Sequence, residues 1–112
     1  MSAHLDLQEG KEGRTTTLFL AGELDLSSAP ELEGAVRRLC RSDIPDEVIL
    51  DLSDVSFIDT AGVRVIVACK QLFDAHDCGF WLMSPSAPAR QILERYGLLD
   101  LLPLGERPTR AH

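Results

Sequence analysis

Asp59 and Thr60 stand side by side just before a helical apolar pattern, and Asp25 closes an acidic corner upstream. Asp and Thr are both residue types that cap helix starts. The first turn of a helix leaves backbone N–H groups unpaired and carries the positive end of the helix dipole. A hydroxyl held there sits where an anion is stabilised. A phosphoryl group on Thr60 would add about 1.5 to 2 negative charges. The helix terminus would stabilise part of that charge, and Asp59 with Asp25 would oppose it. The local field would change strongly with little need to refold. The same pair can also be read as plain helix caps. The two roles are compatible, because a capping hydroxyl can be exposed.

Other chemistry has less to stand on. His4, His76 and His112 are scattered without metal-ligand spacing, so no metal and no cofactor is expected. The chain has no phosphate-cradling G-x-x-x-x-G-K-[ST], no G-x-G-x-x-G and no G-x-S-x-G elbow. Cys40, Cys69 and Cys78 are odd in number and form no C-x-x-C pair. They read as small buried or half-buried residues of a protein in a reducing cytoplasm, not as a disulfide framework. Trp81, inside an apolar segment, reads as core.

The net charge of −7 argues against nucleic acid as a direct partner, since phosphate backbones need clustered Lys and Arg. It suits docking on another protein with a basic patch. No secretion signal is visible from Met1 to Gly10. No apolar run reaches the ~20 residues of a membrane span. The longest, Val63 to Leu72, is broken by Arg64, Lys70 and Gln71.

These residues need elements to hold them. Leu5 and Leu7 suggest a short strand, Glu9 to Gly13 (EGKEG) a turn, and Thr15 to Ala21 a second strand pairing antiparallel with the first. Gly22 to Asp25 reads as an irregular corner. Ser27 or Ser28 offers a cap for a helix over Ala29 to Cys40, with Leu32, Ala35, Val36 and Leu39 on one face. Glu47 to Leu52 reads as a strand covered on both faces. A second helix opens near Asp59-Thr60, runs through Leu72 and ends before the polar His76-Asp77. Gly79 to Met83 is a buried strand, and Ser84 to Ser86 a turn and cap. A third helix spans Ala87 to Tyr96, with Ile92, Leu93 and Tyr96 inward and Gly97 ending it. Leu98 to Leu104 reads as a last short strand. The fold class is α/β: a single mixed β-sheet of about four to five strands with about three helices. The helices could lie on one face of the sheet or on both. One domain over residues 1–112 is expected, its core at about 4–104 and a frayed tail at 105–112.

The longer pattern is more specific. The string D-L-S-D-V-S-F-I-D-T-A-G-V-R-V-I, from Asp51 to Ile66, resembles the signature of the STAS domain family, in particular its anti-sigma factor antagonists. L-F-L-A-G-E-L-D at Leu18 to Asp25 is similar to that family's L-x-G-E-L-D corner. S-P-S-A-P-A-R-Q-I-L-E-R-Y-G-L at Ser84 to Leu98 is similar to its S-P-x-V-x-R helix. The three segments stand in the family's order and spacing over most of Leu18 to Leu102.

The resemblance implies a STAS-like fold and a regulatory cycle. The unphosphorylated protein would bind an anti-sigma factor that is a serine/threonine kinase, and so free a sigma factor. Phosphorylation of the hydroxyl after the motif Asp would end binding, and a phosphatase would reset it. Here the acceptor position is Thr60, and Asp25, Asp59, Thr60, Gly62 and Arg64 fall on the partner-binding surface. The chain departs from the pattern at two places. Thr60 stands where Ser is commoner, and Arg64 stands where a second Gly is usual. Arg64 could pair with a phosphate on Thr60 or exclude the usual partner. A non-phosphorylated STAS scaffold or assembly module is the alternative. A small enzyme built on Asp25, Asp59 and Thr60 ranks last, because no His or Lys base with a motif accompanies them, so the chain is expected to be no enzyme.

Overall fold

The structure, a computed structural model, describes residues 5–103. Strand β1 (Leu5–Glu12) pairs antiparallel with β2 (Thr15–Leu24), in register from Leu5 opposite Gly22 to Glu12 opposite Thr15. The turn between them is therefore Gly13-Arg14. Most of the expected EGKEG turn is strand, because backbone pairing with β2 carries the extended conformation through Gly10 and Lys11. Two further strands, β3 (Glu47–Ile58) and β4 (Gly79–Met83), join in parallel to complete a mixed sheet of order β1-β2-β3-β4. Helix α1 (Ala29–Leu39) links β2 to β3, and α2 (Thr60–Ala75) links β3 to β4. Helix α3 (Ala87–Arg95) and a 3₁₀ turn at Leu99–Leu101 follow.

One face of the sheet is buried. Leu18, Leu20, Val48, Leu50, Phe80 and Leu82 alternate with more exposed neighbours, as strands covered on one side must. They share one continuous core with Leu32 and Val36 of α1, Ile66 and Phe73 of α2, and Ala89 and Leu93 of α3. The helices thus cover one face, and two expectations change. Glu47 to Leu52 is covered on one side only, and Ile49 and Asp51 on the other are half-buried. Trp81 pairs with Ile49 on that outer face and is also half-buried; its indole N–H donates to the Glu47 carboxylate at 3.2 Å. It is not core, because its neighbours Phe80 and Leu82 take the inward positions.

Strand β3 runs six residues past its expected end at Leu52. Its pairing with β2 slips twice, between Phe19 and Ala21 and between Gly22 and Glu23. Each slip places an extra residue on β3, the signature of a bulge. The bulges reset the alternation, so Leu52, Val55 and Ile58 all face inward at intervals of three. The apolar segment after α3 forms the 3₁₀ turn rather than a strand. Leu102 is nonetheless fully buried and anchors it. The expected frayed tail at 105–112 lies outside the described residues, as do His4 and His112.

Candidate functional site

Strands β2 and β3 are parallel neighbours and end together, Leu24 opposite Ile58. Each then turns into a helix, so the starts of α1 and α2 lie at the same end of the sheet, the usual location of sites in open α/β folds. One atom joins the two corners: the Leu24 carbonyl oxygen accepts the Asp59 N–H at 3.2 Å.

The first corner is organised by Asp25. Its carboxylate oxygen accepts the Ser27 N–H at 3.0 Å, the Ser27 hydroxyl at 2.9 Å and the Ser28 N–H at 3.1 Å. The serines were expected to cap α1, yet no side-chain cap bond comes from Ser28. Asp25 binds the N–H groups of Ser27 and Ser28 instead. The Ser28 hydroxyl turns back to the Glu23 carbonyl at 2.6 Å. The Ser27 hydroxyl bond, joined by the bonds from Ser28, holds the Asp25 carboxyl below the usual carboxylate range. Asp25 is thereby engaged within its own corner.

The second corner carries Asp59 and Thr60. Asp59 is extended, at φ −106° and ψ −173°, and its carboxylate accepts the Gly62 N–H at 2.9 Å. It is the N-cap of α2, as the residue types suggested. Gly62 is buried, and a Cβ there would overlap the Leu24 carbonyl oxygen and the Ile58 side chain. Its contribution is to let α2 seat closely on the end of β2. Thr60 is the first helical residue and is exposed. Its hydroxyl lies 3.3 Å from the hydroxyl of Tyr96. Arg64 is one turn along the same helix, exposed, and without an ion pair among the described residues. It lines a shallow groove between α1 and α2 with Leu26, Pro30, Ala61 and Ala68.

Three exposed apolar side chains belong to this end of the sheet and escaped the sequence reading. Leu26 is 76% exposed, in the first corner; Phe57 is 47% exposed, two residues before Asp59; Tyr96 is 45% exposed beside Thr60. Tyr96 was expected to point inward. It falls at the end of α3, where Gly97 adopts φ 71°. The Gly97 N–H bonds to the Glu94 carbonyl and the Leu98 N–H to the Leu93 carbonyl, which makes a Schellman cap. Leu98 takes the apolar contact at that cap and Tyr96 is directed outward. Large exposed apolar residues gathered around polar ones mark an interaction surface.

The sequence matches the STAS domain family over residues 8–111. The chain belongs to the STAS domain family. This STAS chain is 24% identical to an anti-sigma-B factor antagonist of Staphylococcus aureus, over 92% of its own length and 94% of the relative's. Its fold is that of SpoIIAA, an anti-sigma factor antagonist solved in its unphosphorylated form. The TM-score is 0.77 at 21% identity, over 88% of this chain and 86% of that one. The phosphorylated form of the Bacillus SpoIIAA superposes with a TM-score of 0.71, again at 21% identity, over 88% and 89% of the two chains. The four-stranded mixed sheet with three helices is thus the STAS fold that the sequence segments implied. Among the described residues, no helix is long and apolar enough to cross a membrane, and no three His, Cys, Asp or Glu side chains converge as metal ligands.

Proposed function

We propose that this chain is an anti-sigma factor antagonist. Its unphosphorylated form binds an anti-sigma factor that is also a serine/threonine kinase, and the bound sigma factor is released. Phosphorylation of Thr60 switches binding off, and a phosphatase restores it. The cycle runs in the cytoplasm and needs no catalysis by this chain.

Support comes first from one feature of the corner: the Thr60 hydroxyl is exposed at the start of α2, with Asp59 fixed as the cap beside it. The Asp59 carboxylate takes the Gly62 N–H, and the Asp59 carbonyl takes the Val63 N–H at 3.0 Å. The Thr60 and Ala61 N–H groups are orphans of the first turn. The Staphylococcus aureus relative and the unphosphorylated SpoIIAA structure carry the name of antagonist, and SpoIIAA is also solved in a phosphorylated form.

The mechanism is electrostatic. A kinase would transfer the terminal phosphoryl group of ATP to the Thr60 oxygen; ADP leaves, and the hydroxyl proton passes to a base of the kinase. The added charge of about −1.5 to −2 stands beside Tyr96, at the end of the sheet that also exposes Leu26 and Phe57. A partner packed on that apolar rim would have to desolvate the phosphate, which opposes docking. Arg64, exposed and unpaired among the described residues, can offset part of the charge.

The test is a competition assay with sigma factor held by the anti-sigma factor. Unmodified protein and Thr60→Ala should displace the sigma factor, and Thr60→Asp should fail to. Equal displacement by both variants would refute the charge switch. Self-association through the same surface, with no displacement at all, would favour a scaffold.

A further inference from the structure

Thr60 and Tyr96 are far apart in the chain, yet their hydroxyls meet at 3.3 Å because α3 is pinned at both ends. At its start the Ser86 N–H donates to the Leu52 carbonyl at 3.1 Å and the Ser86 hydroxyl donates to the Val55 carbonyl at 2.5 Å. At its end the Gly97 cap fixes the backbone that follows Tyr96, and Leu93 one turn earlier is fully buried. The phenol is therefore presented to Thr60 by a rigid element.

The geometry points to Tyr96 as the positioning residue of the Thr60 switch: its phenol donates to the Thr60 oxygen in the unmodified protein and to a phosphate oxygen once Thr60 is modified. This rests on Thr60 being the acceptor. A phenol is the stronger acid of the two hydroxyl types and so the better donor. With Tyr96 donating, the Thr60 proton stays free to leave during transfer. After transfer the dianionic phosphate offers only acceptor oxygens, so the phenol must be the donor. The Tyr96 side chain is 45% exposed and has room to follow the larger group. The end of α3 thus reads the state of the start of α2, and part of the apolar rim is held in place by the phosphate itself.

The experiment uses the full chain with phosphothreonine installed at position 60 during synthesis, as wild type and as Tyr96→Phe. The second ionisation of the phosphate is followed by ³¹P NMR. A donor to the dianion favours the charged form. The wild-type phosphate should bind its last proton about threefold more weakly than in Y96F, and so titrate at lower pH. Tyr96 is the sole tyrosine, so its ring resonances report directly and should shift on modification. Coincident ³¹P titrations with unshifted ring resonances would overturn the inference. Y96F keeps the ring, and its circular dichroism should match the wild type. Because the phosphate is installed in synthesis, a kinase that never modifies Thr60 would overturn the proposed function and leave this result standing.

Discussion

Gly62 rests against the Leu24 carbonyl so closely that any Cβ would overlap the oxygen. That same oxygen accepts the Asp59 N–H. The start of α2 is therefore seated on the end of the neighbouring strand, and Thr60 inherits its position from this contact. Gly62→Ala should lower stability by about 1–3 kcal/mol through overpacking, even though Ala is the better helix former by about 1 kcal/mol. Urea denaturation should show a lower midpoint with an unchanged slope. A neutral or stabilising effect would mean that the helix does not seat so tightly.

Asp59 has two separable properties, its hydrogen bond to Gly62 and its charge. Asp59→Ala should remove both and destabilise by about 1 kcal/mol. Asp59→Asn keeps a capping oxygen and should stay close to wild type in the same denaturation experiment. Loss of anti-sigma binding in D59N alone would then report on the charge.

Asp25 carries the pH dependence of the first corner. Its folded carboxyl is held below the ordinary value of 3.8, chiefly by the Ser27 hydroxyl. A depressed folded value means stability that is present above 3.8 and lost as pH falls through the lower folded value. Asp25→Asn should flatten that acid-side decline. Thermal unfolding of wild type and variant between neutral and strongly acidic pH checks this, and parallel curves would contradict it.

The thiols should differ sharply in reactivity. Burial pushes the Cys69 thiol up to about 12 and the Cys78 thiol up to about 11. Cys40 is half-buried and is raised by burial without an anchoring charge. The thiolate is the nucleophile. Iodoacetamide at mildly alkaline pH should label Cys40 first, with Cys69 and Cys78 reacting only after unfolding. Mass spectrometry of timed samples would show the order, and early labelling of Cys69 would contradict the packing.

The elements that hold the site were largely legible in the sequence. Asp59-Thr60 before the apolar pattern of α2 marked a helix start, and Asp59 does cap it. Gly79 to Met83 matches β4 residue for residue. What escaped were features set by tertiary contacts. The end of β3 was hidden because its bulges replace alternation with a spacing of three, among polar Ser53, Asp54 and Ser56. Leu98 to Leu104 was ambiguous, since a short continuous apolar run has no period to distinguish strand from helix. Tyr96 follows Ile92 and Leu93 at helical spacing, and only the cap at Gly97 turns it outward to Thr60. Leu26 and Phe57 carry no local signal of exposure. Their place at the rim appears only when β2 and β3 end side by side.

The most direct measurement of the central claim is the site of phosphorylation. The protein is incubated with ATP and the co-encoded anti-sigma kinases, and the product is mapped by tandem mass spectrometry. The account predicts one phosphate per chain, on Thr60, and none on Thr60→Ala. Phosphate on another residue, or none with any such kinase, would contradict it.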